Sequence, residues 1–167
     1  MTDREYIKTV LAKYDAYDAQ TWIQGYFDEF GGGFNVYHIE HEFSETGGGG
    51  YAEKKVGKLL AKHSGKHVEF LPEGDGKQPD FLFDEQTWEV KYIDHANIKT
   101  IRGYIENARR KKADNCIFYW EITNKKYDLK SALNRELGKM SKLGRIGEMP
   151  DIYYMDESGL LKLLWEK

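Results

Sequence analysis

A short stretch near the middle of the chain, residues 78–91 (QPDFLFDEQTWEVK), constrains the fold more than any other. Apolar and polar residues alternate on both sides of a polar turn, with Phe81 and Phe83 before it and Trp88 and Val90 after it. Alternation with a period of two is typical of β-strands that bury one face. The stretch therefore predicts two short strands joined by a turn.

Charged residues of this stretch predict a chemical site. In the second strand, the period of two places Thr87, Glu89 and Lys91 together on the face opposite the apolar side chains. Asp80 directly follows the proline that starts the neighbouring strand, so that it can lie across from them. Two carboxylates and a lysine that converge in this way suit a hard divalent cation with a water nucleophile beside it. They predict a metal-dependent phosphodiesterase.

The length and composition indicate one ordinary globular domain. The chain has 167 residues, enough for one domain with a real core and too few for two comfortable ones. The single cysteine, Cys116, lies in an apolar run and is expected to be a small buried hydrophobe. No apolar run is long enough for a transmembrane helix, and the charged start, Met1–Glu5, does not resemble a signal peptide. The expected site of action is cytoplasmic, whether the segment stands alone or belongs to a larger exported or mobile-element protein.

The distribution of basic residues points to phosphate. The net charge is −3, which alone argues against a general nucleic-acid binder. Two basic runs nevertheless flank the predicted metal site. The first contains Lys99, Arg102, Arg109, Arg110, Lys111 and Lys112, and the second contains Lys125, Lys126, Lys130, Arg135, Lys139, Lys142 and Arg145. Such runs are also common on solvated helix faces, but their position on both sides of the site favours phosphate binding.

The first part of the chain, residues 1–45, is expected to form a helical and aromatic extension, followed by the main domain over 46–167. Helical spacing of apolar and aromatic residues predicts a helix over about residues 3–17. Residues 34–43 alternate imperfectly and contain His38, Glu40, His41 and Glu42 close together. Their spacing matches no metal-ligand pattern, so that an exposed strand or loop is expected there.

The remaining periodicity predicts an α/β (α+β) fold with a mixed central sheet. A helix over about 51–63 carries Glu53 at the border of its apolar stripe, where partial burial is expected. A strand over 67–71, the two strands of the central stretch, a helix from about 98 to 113 and an apolar strand over 115–122 follow in order. Another helix over about 129–140 and a closing hairpin over 152–165 complete the chain.

This order of elements, with an acid followed by acid-x-lysine on successive strands, resembles the core of the PD-(D/E)xK nuclease superfamily. Pro79-Asp80 and Glu89-Val90-Lys91 match its motif, and Glu53 stands where many members carry a helical glutamate. The surrounding sequence is similar to the C-terminal tRNase toxin domains of contact-dependent growth-inhibition systems in bacteria and to relatives in mobile elements. One departure is that lysines occupy the helix after the motif, where restriction-type relatives often carry a glutamine.

The resemblance implies a restriction-endonuclease-like core, nuclease activity and a role for each matching residue. Asp80, Glu89 and Glu53 would hold Mg²⁺ or Mn²⁺, aided by the Val90 carbonyl, and Lys91 would orient or deprotonate the attacking water or stabilise the phosphate. The substrate would be RNA, most plausibly tRNA, with DNA as the alternative, and a cognate immunity protein is implied as a partner. The residues expected to contact the substrate are Thr87, Lys99, Thr100, Arg102 and Arg109.

Three alternatives stay open at this point. A metal-independent toxin RNase would use the RNA 2′-hydroxyl as nucleophile and recruit Glu53, Lys91, His95 and Thr100. A nuclease-like fold without catalysis would bind protein or nucleic acid only. In the simplest structural alternative, the three motif residues form a surface cross-strand ion pair worth about 0.2–1 kcal/mol.

Overall fold

One mixed sheet of eight strands runs through the described part of the chain. The computed structural model describes residues 2–43, 49–93, 98–121 and 129–167. The helices within these ranges are α1 (Asp3–Asp15), α2 (Gly49–Ser64), α3 (Ile98–Arg110), α4 (Leu129–Lys142) and a short 3-10 helix (Ile146–Glu148). The strands are β1 (Trp22–Phe27), β2 (Phe34–His38), β3 (His67–Phe70), β4 (Phe81–Phe83), β5 (Gln86–Tyr92), β6 (Asn115–Tyr119), β7 (Asp151–Met155) and β8 (Lys162–Trp165). Within these ranges, no helix has the length and apolar character needed to cross a membrane.

The strands lie in the sheet in chain order, and their directions are mixed. Strands β2 and β3, β5 and β6, and β6 and β7 are parallel pairs, connected through α2, α3 and α4 respectively. The other four pairs are antiparallel, including the β4–β5 hairpin of the central stretch. The predicted α/β class with a mixed sheet, a single domain and the order αβββαβ from α2 to β6 is confirmed.

Two hydrophobic layers cover the two faces of the sheet. Alternation along β6 shows the division, because Ile117 packs in the layer that α2 covers, whereas Cys116 and Phe118 pack in the layer that α3 and α4 cover. Cys116 is fully buried, as predicted, and burial raises the pKa of its thiol. Helix α1 packs through Val10 on the first strands. The register from β2 to β6 places α1 on the same face as α3 and α4.

Helix α2 lies unusually close to the sheet because glycines stand at its contact points. A Cβ added to Gly57 would come within 2.6 Å of the Phe70 ring. A Cβ added to Gly33, just before β2, would come within 1.7 Å of the Ala61 carbonyl oxygen. Both distances lie far inside van der Waals contact. The glycines thus set the depth at which α2 presents Glu53 to the sheet.

The N-terminal residues, predicted to form an extension, contribute a helix and two strands to the domain. Helix α1 begins at a capping box in which Thr2 and Glu5 satisfy each other's backbone amides. Strands β1 and β2 belong to the one sheet, and β2 pairs in parallel with β3. The expectation of an exposed strand or loop over 34–43 was wrong for β2, because Phe34 and Val36 are buried against α1 and Asn35 is buried on the opposite face. Ile39, Glu40 and Glu42 are exposed.

Candidate functional site

Asp80 directly precedes β4. It lies beside the part of β5 that extends past the last β4–β5 residue pair, Phe81 and Trp88. Its backbone amide donates to the Trp88 carbonyl at 2.9 Å, and its carbonyl accepts from the amide of Leu71. Its side chain folds back onto β5, where the Val90 amide donates to Asp80 Oδ2 at 2.6 Å. Asp80 is only 4 % exposed. Three hydrogen bonds therefore hold the buried Asp80 carboxyl group against β5 at the start of β4.

Glu89 and Lys91 lie together on one face of β5, as the alternation predicted. Glu89 is 1 % exposed, and its Oε1 accepts from Lys91 Nζ at 2.7 Å. Lys91 Nζ also donates to Asn107 Oδ1 at 2.7 Å. A second ammonium group, Lys111 Nζ, lies 2.9 Å from the same Glu89 Oε1. One carboxylate oxygen therefore binds two lysines, and a simple surface ion pair does not describe this buried arrangement.

Lys111 belongs to the first basic run of the sequence, and its contact with Glu89 was not predicted. The signal was its spacing, since Asn107 and Lys111 are four residues apart at the end of α3 and so point the same way. Lys91 reaches Asn107, and Lys111 reaches Glu89. The end of α3 thus supplies two polar groups to the strand face of β5.

Glu53 approaches from the opposite face of the sheet, on α2. Its side chain is 11 % exposed, as its place at the border of the apolar stripe predicted. His41 lies behind it, with Nε2 3.4 Å from Glu53 Oε2 and Nδ1 2.6 Å from the Leu71 carbonyl oxygen. His41 is 8 % exposed, so the expectation that this histidine lies on an exposed segment was wrong. It follows β2, and only the pairing of β2 with β3 brings it to α2.

Two carboxyl groups of this cluster, those of Asp80 and Glu89, have raised pKa values. Burial, followed by the charge of Glu53 and a hydrogen bond with it, raises the pKa of Asp80 to about 8, and Lys111 and Lys91 oppose the rise. Burial and the charge of Asp80 raise the pKa of Glu89, again against the two lysines. Their surroundings therefore favour the neutral forms of Asp80 and Glu89 more than water does.

In two basic members, Lys111 and His41, the pKa values are also raised, which for a base favours the charged form. Burial lowers the pKa of Lys111, but the charges of Glu89 and Asp80 outweigh it and the pKa is raised. Burial likewise disfavours charge on His41, and its hydrogen bonds to Glu53 and to the Leu71 carbonyl still raise its pKa. Both ring nitrogens of His41 face acceptors, as in an imidazolium that donates twice. Cations and carboxylates of the cluster thus stabilise each other.

The donor atoms suit a hard cation, although they are not arranged around a common point. Asp80, Glu89 and Glu53 offer only oxygens, and Glu89 Oε2 is buried with no hydrogen-bond partner among the described residues. In the same part of the chain, no three His, Cys, Asp or Glu side chains form a ready metal-binding group. The lysines occupy Glu89 Oε1 instead. A cation at Glu89 would therefore bind at Oε2 beside the lysines or replace them at Oε1.

The residues expected to contact substrate are spread over the molecule. Thr87 lies on the predicted face of β5, but its amide and hydroxyl donate to Asp114 Oδ2 at 2.9 and 3.1 Å. Arg102 Nε lies 3.4 Å from Glu136 Oε2 on α4. Lys99 and Thr100 lie exposed in the first turn of α3, and Arg109 lies in its last turn. His95, a candidate for metal-free chemistry, falls outside the described residues.

Comparisons of the chain with protein-family models, with curated proteins and with solved structures found no match. What the site offers is a buried cluster of three carboxyl groups, two lysines and a histidine, which we call the carboxylate–lysine cluster (Asp80, Glu89, Glu53, Lys91, Lys111 and His41).

Proposed function

We propose that the protein is a metal-dependent nuclease that hydrolyses phosphodiester bonds at the carboxylate–lysine cluster. The observation that supports this most is that the buried Asp80, directly before β4, interacts electrostatically with Glu53 on α2 and with Glu89 on β5. Burying several carboxyl groups costs folding free energy, so a cluster with perturbed pKa values is a candidate functional site. The order of elements around it matches the order that the motif resemblance implies.

In this proposal, Asp80, Glu89 and Glu53 would hold Mg²⁺ or Mn²⁺. When bound, such an ion lowers the pKa of a coordinated water from 15.7 towards about 7 and neutralises phosphate charge. Asp80 is fixed by the Val90 amide, and Glu53 is backed by His41, so that both carboxylates are oriented in advance. The orphaned Glu89 Oε2 is the oxygen that such an ion would satisfy.

The two lysines would act on the phosphate. Lys91 is held between Glu89 and Asn107, which fixes its ammonium group at the strand face. Lys111 reaches the same oxygen from the end of α3. If Glu89 turns to a cation, both ammonium groups lose a partner and can bind the negative oxygens of a phosphodiester. Charge that faces the transition state in a desolvated site is the main source of rate enhancement for such reactions.

For the substrate we propose RNA, with tRNA as the class that the sequence resemblance favours and DNA as the alternative. The proposed setting is a bacterial toxin-type domain with a cognate immunity protein. The support for nucleic acid is electrostatic: α3 ends in Arg109 and Arg110, and α4 carries Lys139 and Lys142 in its last turn. Contacts to the 2′-hydroxyl would separate RNA from DNA.

The test compares the wild type with Asp80→Ala and Lys91→Ala on total tRNA and on plasmid DNA. Each protein is incubated with Mg²⁺, with Mn²⁺ and with EDTA, and Lys8→Ala serves as the control because Lys8 is an exposed lysine on α1, outside the cluster. We expect metal-dependent cleavage that Asp80→Ala and Lys91→Ala abolish and Lys8→Ala retains. Cleavage that persists in EDTA would indicate the metal-free RNase instead. Absence of cleavage by folded wild type in all conditions would contradict the proposal.

A further inference from the structure

A cationic region lies at the end of α3, outside the carboxylate–lysine cluster. A cavity of about 420 Å³ opens between the end of α3, the 3-10 helix and Lys167. Its basic lining residues are Arg109, Arg110, Lys112, Arg145 and Lys167. None of its lining residues belongs to the cluster, since Lys111 turns the other way towards Glu89. We call this space the Arg109 cavity.

Arg109 is the unusual member of this lining. Its side chain is only 10 % exposed, and its Nη2 lies 4.0 Å from Glu106 Oε1, which is the outer limit of an ion pair. Its Nε is buried without a hydrogen-bond partner among the described residues. A buried donor without an acceptor costs folding free energy, and more when the group is charged. Such a group in a folded protein calls for an acceptor. The Arg109 side chain also lines the cavity, where an acceptor can approach it.

The acidic residues of the cavity do not supply that acceptor. Glu148 is bound by Arg145, through Nε and through Nη2 at 3.0 Å. The hydrogen bond from Arg145 lowers the pKa of Glu148, and Arg109 adds only a smaller contribution through its charge. Asp114 accepts from both the amide and the hydroxyl of Thr87. Five basic and two acidic lining residues leave the cavity with a surplus of positive charge.

From this we infer that the Arg109 cavity binds a phosphate group, with the Arg109 guanidinium as its principal donor. A guanidinium presents its donors in a planar fork that matches two phosphate oxygens, and it is less strongly hydrated than an ammonium group. Arg110 and Lys112 flank Arg109 at the exposed rim and add charge. The phosphate comes either from a nucleic-acid backbone or from a free phosphorylated molecule, and both present the same oxygens. The inference is independent of whether the carboxylate–lysine cluster is catalytic.

The experiment measures binding in EDTA, so that cleavage cannot interfere. Wild type, Arg109→Gln and Arg109→Lys are titrated with a fluorescent single-stranded RNA at several salt concentrations, and their thermal unfolding is followed with inorganic phosphate. Arg4→Gln is the matched control, because it removes an exposed charge on α1, outside both basic runs, that does not line the cavity. We expect Arg109→Gln to weaken RNA binding about tenfold and to reduce the salt slope by about 1, as loss of one phosphate contact does. Arg109→Lys keeps the charge without the planar fork of donors, so its affinity for RNA should lie between those of the wild type and Arg109→Gln.

The two sources of phosphate give different results. Weaker RNA binding in Arg109→Gln, without stabilisation of the wild type by inorganic phosphate, identifies a nucleic-acid backbone. Stabilisation by inorganic phosphate that Arg109→Gln loses, with unchanged RNA binding, identifies a free phosphate ligand. If neither ligand distinguishes Arg109→Gln from the wild type, the inference is overturned.

A second variant covers the chance that Arg109→Gln does not fold. Arg110 is exposed at the rim of the cavity, so Arg110→Gln leaves the buried packing intact. It should weaken binding of the same ligand, by about twofold to fivefold for an exposed charge. Unchanged binding of both ligands by Arg110→Gln would then count against the inference. A wild type that cleaves nothing but shows these binding differences would refute the proposed nuclease and leave the cavity's role standing.

Discussion

At the scale of single residues, Glu89 determines the electrostatics of the site. One of its oxygens binds Lys91 and Lys111, and the other is buried without a hydrogen-bond partner among the described residues. Its neighbour Asp80 is held in a space where its neutral form is favoured. The lysines therefore serve as internal counter-ions, and a metal ion would compete with them for the same carboxylate.

Lys111→Ala tests this competition, and its interpretation rests on the proposed function. We expect tighter Mn²⁺ binding by calorimetry, because the variant removes a cation from Glu89 Oε1. We also expect cleavage at saturating metal to slow by about 10²-fold, as when one preorganised charge is removed from a transition state. The control is Lys8→Ala, an exposed lysine on α1, which should change neither quantity. An unchanged cleavage rate, or weaker metal binding, would contradict the role given to Lys111.

His41→Ala tests whether the histidine supports Glu53. It removes a partner from Glu53 and from the Leu71 carbonyl, both of which are partly or fully buried. We expect the free energy of unfolding in urea to fall by about 1–3 kcal/mol, the cost of leaving a buried polar group unsatisfied. The exposed His63→Ala is the control and should change stability by less than about 0.5 kcal/mol. Equal effects of the two substitutions would show that His41 has no special role.

The raised pKa of Asp80 predicts how stability depends on pH. Because this pKa is about 8 in the folded chain and about 4 in an unfolded one, the folded state binds more protons between these values. The free energy of unfolding therefore falls as pH rises through this window. Asp80→Asn removes the titrating group, so in EDTA it should raise the Tm at pH 8 more than at pH 5. Each kcal/mol corresponds to about 2–4 °C for a chain of this size.

Exposed Asp84→Asn is the control for this measurement, and it should leave the pH dependence of the Tm unchanged. Added Mg²⁺ should raise the Tm of the wild type at pH 8 and should have no such effect on Asp80→Asn, because binding to the folded state alone stabilises it. A wild-type Tm that rises steadily from pH 5 to pH 8 in EDTA would contradict the assignment of a raised pKa to Asp80.

At the scale of elements, the depth of α2 on the sheet controls the position of Glu53. Gly57→Ala forces a methyl group to within 2.6 Å of the buried Phe70 ring. We expect a loss of about 1–3 kcal/mol from overpacking, which outweighs the gain in helix propensity of up to about 1 kcal/mol. Gly103→Ala on α3 is the matched control, since a Cβ there meets no heavy atom within 4 Å. It should stabilise the protein, so the two substitutions should shift the urea midpoint in opposite directions.

At the scale of the whole molecule, the N-terminal part belongs to the same folding unit as the site. Strand β2 covers the edge of β3, and His41 after it contacts Glu53 on α2. A truncated chain of residues 46–167 would expose that edge and lose the parallel β2–α2–β3 unit. We expect it to lose cooperative unfolding in urea and to aggregate, as measured by circular dichroism and light scattering. Cooperative unfolding close to that of the full chain would show that 1–45 is a separable extension.

Local sequence determined the elements from α2 to β6 and three members of the site. The apolar stripe of α2 placed Glu53 at the edge of the buried face, and the alternation of β5 placed Glu89 beside Lys91. Periodicity is a local property, because a strand or helix repeats its own side-chain directions along the chain. The order of elements and the mixed sheet follow from the same patterns. This is why the motif residues could be named before the fold was known.

Only the tertiary structure decided which distant residues meet these. His41 reaches Glu53 because β2 pairs with β3, and Lys111 reaches Glu89 because α3 packs back along β5 and β6. Burial of β2 and the cationic cavity at Arg109 likewise arise from contacts between segments far apart in sequence. Such pairings depend on loop closure and on the packing of whole faces, neither of which leaves a repeating signal in the residues themselves. The sequence thus determined the acids and the lysine of the motif, and the fold determined the charges that surround them.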